Sequence, residues 1–147
     1  MLTTGMAAAE NAKIPVGGSV AVFAQGPVDL CATIGARLIG AGLIVAVESK
    51  PGRQKLAKQL GADVVVDPSA GTAVEEIIEM TDGTGVDSAI EALGHPVTFA
   101  NCIRVTRPRG VISNVGFHGE AENSLQIPLP EFGLGMGDKK IHGDVPG

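Results

Sequence analysis

Short apolar runs rich in β-branched residues alternate along the chain with stretches whose apolar positions fall three and four apart. Ser19–Phe23 (SVAVF) is apolar after its first residue, the pattern of a strand buried on both faces. Past Gly26-Pro27, the residues Val28, Cys31, Ile34 and Leu38 recur at helical spacing, and Gly40 and Gly42 close that helix. Leu43–Val47 (LIVAV) predicts a second buried strand. Lys50-Pro51-Gly52 then turns the chain into a second helix, with Leu56 and Leu60 four apart and Gly61 at its C-terminal cap.

The unit repeats. Val64–Val66 predicts a third strand, and Thr72 with Glu75 forms a capping-box pattern ahead of Val74, Ile77 and Ile78. Val86–Glu91 reads as a strand, and His95-Pro96 opens a helix carrying Phe99 and Ile103. Pro108 cannot continue that helix, and Val111–Val115 is the next strand. Lys140–His142 supplies one last edge strand. Strands alternating with helices over short connections make crossover units, hence a parallel sheet covered on both faces. The pattern predicts one α/β domain over residues 1–147, a doubly wound, Rossmann-like parallel sheet.

Composition narrows the partners. Glycine makes up 21 of 147 residues, roughly twice the average of about 7%, without period, while 44% of residues are hydrophobic. Glycine therefore serves particular backbone positions in a folded domain. A net charge of −5 without a basic run argues against nucleic acid as a partner. No apolar stretch approaches the ~20 residues of a membrane helix. The start, MLTTGMAAAENAK, lacks the parts of a signal peptide. Cys31 and Cys102 lie far apart in helical patterns, which predicts two buried thiols and a reducing, cytoplasmic setting. They and His95, His118 and His142 show no metal-ligand spacing.

In such sheets ligands bind beyond the carboxyl ends of the strands, at the switch in strand order. The first strand-to-helix turn reads Phe23-Ala24-Gln25-Gly26-Pro27-Val28-Asp29. A dinucleotide fingerprint places glycines at 24, 26 and 29, and only Gly26 is present. That glycine lets backbone approach a pyrophosphate at a helix N-terminus; equally, it serves a tight turn with no ligand. Glu48 ends the second strand 22 positions beyond Gly26, near the offset of about 20 expected for a ribose-binding acid. A carboxylate there accepts ribose hydroxyls and repels a 2′-phosphate, whereas Ser49, Lys50 and Arg53 would welcome one. The balance favours NAD over NADP.

The chain resembles the cofactor-binding domain of zinc-dependent medium-chain alcohol dehydrogenases, particularly the bacterial secondary-alcohol type. The resemblance rests on Leu2-Thr3-Thr4-Gly5, Gly26-Pro27-Val28, Gly85-Val86-Asp87 with Ile90-Glu91-Ala92-Leu93-Gly94, Pro108 through Gly116, and Gly133-Leu134-Gly135-Met136. It implies that Thr4 lies beside a nicotinamide whose ring packs on Val28, with Gly26 and Pro27 facing the pyrophosphate. It places Glu48 and Arg53 at the adenosine ribose, and Ala92, Leu93 and Gly94 along the cleft. Val115, Gly116 and Phe117 would offer backbone groups to the carboxamide.

The resemblance further implies a domain excised or truncated from a larger dehydrogenase, with zinc held only in a catalytic domain this chain lacks. The expected role is to bind NAD(P) for hydride transfer to or from an alcohol, without turnover by the chain alone. The alternative is a nucleotide-sensing or assembly module with no chemistry. Two departures, Ala24 and Asp29, bear on binding. Asp29 suits the helix dipole by about 0.3–1 kcal/mol but competes with a pyrophosphate. The family pattern also implies a homodimer through the last strand, Lys139 to Gly143.

Overall fold

The computed structural model describes residues 2–115, 127–128 and 138–143. Among these residues lie six strands, β1 (Ser19–Phe23), β2 (Leu43–Val47), β3 (Val64–Val66), β4 (Val86–Glu91), β5 (Thr106–Asn114) and β6 (Lys140–Gly143). They form one sheet in the order β3-β2-β1-β4-β5-β6, and every pairing is parallel. The chain winds outward from the central β1 to β3, returns beside β1 as β4, and winds out the other way. This doubly wound order opens a crevice between β1 and β4 at their carboxyl ends.

The continuous apolar runs have a direct structural cause. Val20 and Val22 of β1 pack in a core with Ala8, Ala12, Ala32, Ala36 and Ala57, while Ala21 and Phe23 join the opposite core with Ile77, Phe99 and Ile103. Helices α1 (Leu2–Asn11), α2 (Pro27–Ile39) and α3 (Pro51–Gln59) therefore cover one face. Helices α4 (Ala73–Met80) and α5 (Pro96–Val105) cover the other. Among the described residues no helix is long and apolar enough to cross a membrane.

Helix α1 is absent from the periodicity reading because its contacts are made by small residues. A Cβ on Gly5 would lie 2.3 Å from the Cys31 Cβ, and one on Gly35 would lie 2.9 Å from Met6 Sδ, so α1 and α2 touch nearly backbone to backbone. Such a helix needs no large apolar stripe. Cys102 is buried, but Cys31, beneath α1, is only half-buried. Strand β5 begins five residues earlier than its apolar run suggests. Val86 pairs with Thr106 and Ser88 with Val111, so residues 107–110 bulge opposite Asp87 alone. Pro108, which has no N–H to give a ladder, sits in that bulge. Thr72 is the N-cap of α4 but makes no capping bond; its hydroxyl pairs with Glu76 instead of forming a box with Glu75. Gly52 lies inside α3, after the Lys50 N-cap, and is no part of a turn.

Candidate dinucleotide site

The turn that leaves β1 is tightly organised. Ala24 takes a left-handed backbone, φ 71°, at the position where the fingerprint expects its first glycine. Its N–H donates to the Val47 carbonyl at 2.7 Å, closing the turn onto the end of β2. Gln25 is fully buried, and its N–H donates to Glu48 Oε1 at 2.9 Å. The Gln25 amide oxygen accepts from the Thr33 hydroxyl at 3.0 Å. A polar side chain thus fills the space under the turn with its oxygen satisfied.

Gly26 is the N-cap of α2, with Pro27 as its first helical residue. Having no side chain to cap the helix, Gly26 receives one instead: its N–H donates to Asp29 Oδ2 at 3.2 Å. Asp29 is 4% exposed, and its other oxygen, Oδ1, makes no hydrogen bond. Burial raises this carboxyl from the ordinary 3.8 to about 7. The Gly26 N–H opposes that rise, and the Glu91 and Glu48 carboxylates add to it.

The acids at the ends of the two strands that flank β1 both turn inward. Glu48 is 5% exposed; beyond its bond from Gln25, its Oε2 accepts from the N–H groups of Ser49 and Lys50 at 2.8 and 3.0 Å. Arg53 Nη1 stands 3.8 Å from Oε1. Glu91 Oε1 likewise accepts from the N–H groups of Leu93 and Gly94 at 2.7 and 2.8 Å, shaping the loop after β4. Each carboxylate holds its own strand-end loop in place.

Beyond these ends lies a cavity of about 610 Å³. Glu48, Ser49, Lys50, Arg53 and Leu93 line it, five of the residues singled out by sequence. Gly26, Pro27, Val28, Ala92, Gly94 and Val115 share the same edge of the sheet but do not form its wall. Thr4 lies half-buried on α1, next to the Gly5 contact with α2. Gly116 and Phe117, like Gly133 to Met136, lie outside the described residues. Sequence reasoning missed the far wall, Val97, Thr98 and Asn101, and also Phe23. A signal was available: α5 follows β4 directly, so its first turns must stand at the carboxyl edge. Among the described residues no group of three His, Cys, Asp or Glu side chains could hold a metal ion.

The strand order, the crevice beside β1 and the acid ending β2 define a dinucleotide-binding α/β domain. The family model described as zinc-binding dehydrogenase matches residues 27–145, and the chain belongs to that family. An alcohol dehydrogenase of Cupriavidus necator is 46% identical over 142 residues, which cover 97% of this chain and 38% of that protein. An NADP-dependent isopropanol dehydrogenase of Thermoanaerobacter brockii is 43% identical over 145 residues, covering 99% of this chain and 41% of its own. Zinc-dependent alcohol dehydrogenase 2 from Streptococcus pneumonia, in its apo form, superposes with a TM-score of 0.89 at 32% identity, covering 98% of this chain and 41% of that one. The chain thus spans about two fifths of the length of the curated relatives it matches, and that part is the family's nucleotide-binding part.

Proposed function

We propose that this chain is the cofactor-binding domain of an alcohol dehydrogenase and that its cavity takes the adenosine end of a nicotinamide dinucleotide. The observation that carries the reading is the cavity at the ends of β1 and β2, walled by Glu48, Ser49, Lys50 and Arg53 beside the switch point. Its volume lies in the usual range for small-molecule sites, about 300–1,000 Å³. The rest of the cofactor runs over Gly26 and Pro27 to the edge near Thr4, Val28 and Ala92–Gly94. Val115, Gly116 and Phe117 serve the carboxamide. The chemistry such a cofactor supplies when bound is hydride transfer to or from an alcohol carbon. This chain's residues bind and orient it.

The choice between NAD and NADP turns on charge. Glu48 puts a carboxylate beside Arg53, at 3.8 Å, and so reduces what that cation can offer a 2′-phosphate. That favours NAD. Lys50 on the cavity wall and the NADP-dependent name of the Thermoanaerobacter relative pull the other way. Titration with NADH and NADPH side by side, followed by cofactor fluorescence, decides it. The expected result is tighter binding of NADH, with no alcohol turnover by the chain alone. Equal or tighter NADPH binding overturns the NAD preference; a folded protein that binds neither overturns the dinucleotide reading.

Assembly belongs to the same reading. Among the described residues strand β6 pairs with β5 on one side and ends the sheet on the other, so its outer backbone groups suit a second copy of the strand. The expected species by light scattering is a homodimer. A monomer mass at high concentration removes that expectation.

A further inference from the structure

We infer that Asp29 is an internal competitor for the phosphate-binding turn: its carboxylate occupies the start of α2, and a dinucleotide is admitted when that carboxyl is protonated. The inference rests on the proposed dinucleotide reading and adds its regulation.

The geometry puts both acceptors on one donor. The Gly26 N–H opens α2, and it already donates to Asp29 Oδ2 at 3.2 Å. A Cβ on Gly26 would meet that same oxygen, at 3.4 Å, and among the described residues no other atom outside its chain neighbours within 4 Å. The side of Gly26 left bare for close approach is therefore the side the carboxyl overlooks. A pyrophosphate oxygen seeking this amide must displace the carboxylate or bear its charge.

The second observation is the orphaned oxygen. Asp29 Oδ1 is buried and makes no hydrogen bond, so the ionised form has given up solvation on that oxygen, a loss that the Gly26 N–H and the residue's own N–H offset only in part. Its electrostatic neighbours sharpen the conflict. Glu91 at the end of β4 and Glu48 at the end of β2 both act on it through their charge, and it acts in turn on the Cys102 thiol of α5. Burial first, then Glu91 and Asp29, hold that thiol well above its ordinary value, so it stays neutral. Two carboxylates thus crowd a third, and a bound pyrophosphate would add more of the same charge.

Protonation relieves both conflicts. It removes the charge, and it weakens the hold on Gly26, because a neutral carboxyl oxygen is a poorer acceptor than a carboxylate. A titration near 7 places the change inside the physiological range. With one proton controlling access, the competent fraction falls from about nine tenths at pH 6 to about one tenth at pH 8, so the apparent affinity drops roughly tenfold.

The test is NADH titration of the whole chain and of Asp29→Asn and Asp29→Gly between pH 6 and 8, with thermal melts to verify folding. NADH lacks the 2′-phosphate whose own ionisation would confuse the profile. The expected result is a roughly tenfold loss of affinity in the unaltered chain across this interval. Both variants should show flat profiles and match or exceed its pH 6 affinity throughout, the glycine variant covering any misfolding of the other. A flat profile in the unaltered chain, or the same slope in a folded variant, overturns the competitor role and leaves the dinucleotide reading intact. Absence of NADH binding by all three folded proteins at every pH overturns the dinucleotide reading, and the competitor role with it.

Discussion

Glu48 Oε1 stands 2.9 Å from the main-chain N of Gln25, so the end of β2 is tied directly to the turn that leaves β1. With Oε2 taking the N–H groups of Ser49 and Lys50, one carboxylate satisfies three backbone donors on two elements. Replacing it by an amide turns an acceptor oxygen into an NH2 group that faces donors. We expect Glu48→Gln to cost about 1–3 kcal/mol, the usual penalty for leaving buried partners unsatisfied, measured as a lower urea midpoint. The half-exposed Arg53 is a control. Its ion pair at 3.8 Å is long and partly solvated, so Arg53→Ala should change stability by less than about 1 kcal/mol. Equal costs for the two substitutions would show that the ion pair, and not the backbone bonds, holds the strand end.

Asp29 makes stability depend on pH in a direction opposite to most carboxylates. Its folded value is raised to about 7 from 3.8, so between about pH 4 and 7 the folded chain keeps a proton that the unfolded chain has released. Stability then falls as pH rises through that window and is level above it. A shift of this size amounts to at most about 4 kcal/mol. The difference in unfolding free energy between the parent and Asp29→Asn isolates the effect, because other titrations cancel. It should move in favour of the variant from pH 4.5 to 7.5. A constant difference would mean that Asp29 titrates as an ordinary surface acid.

The sheet was legible because its strands are covered on both faces, which removes the alternation that would otherwise dilute a short apolar run. Val20 through Phe23 feed two cores in turn, and the sequence shows that as one unbroken block. The site was legible only as a place. Gly26 and the acid 22 residues later marked the right end of the sheet, but spacing carries no information about which way a strand-end carboxylate turns. Glu48 and Glu91 face inward to backbone donors, which depends on how their own loops close. Asp29 could be seen to replace a glycine, while its burial, and hence its altered acidity, follows from α2 packing against the sheet. The α5 wall of the cavity was hidden for another reason: Val97, Thr98 and Asn101 carry no motif and matter only because the crossover brings them to that edge.

Small residues at the α1–α2 contact give a clean test of how α1 docks. A methyl at position 5 would come within 2.3 Å of the Cys31 Cβ and 2.8 Å of the Ala32 backbone N, and neither is a flexible side-chain end. The helices must separate, so Gly5→Ala should cost about 1–3 kcal/mol, the range for overpacking. Gly52 provides the contrast. It lies in α3, exposed, with nothing within 4 Å of its would-be Cβ. Gly52→Ala should therefore stabilise by about 0.4–1 kcal/mol through helix propensity and a less flexible unfolded chain. Thermal melts of the two variants should shift in opposite directions. A loss for both would mean that position 52 is constrained by something other than local space.

Asp87 joins the start of β1 to the bulge of β5. Its Oδ2 accepts from the Ser19 N–H at 2.8 Å, and its Oδ1 pairs with the Arg107 guanidinium, while Ser19 Oγ accepts from the Asp87 N–H at 3.0 Å. Burial pushes this carboxyl upward, but the Ser19 N–H and Arg107 together outweigh it and hold it below the ordinary value. A depressed folded value means the stabilisation is present above the unfolded 3.8 and is lost as pH falls through the folded one. Asp87→Asn should thus cost about 1–3 kcal/mol at neutral pH, as expected for hydrogen bonds to a charged group. The gap between parent and variant should be constant from pH 8 to 5 and close below pH 4. Urea unfolding across that range reads both features. A gap that persists unchanged at pH 3 would assign the loss to packing around the bulge, because an ion-linked clasp cannot survive protonation of its carboxylate.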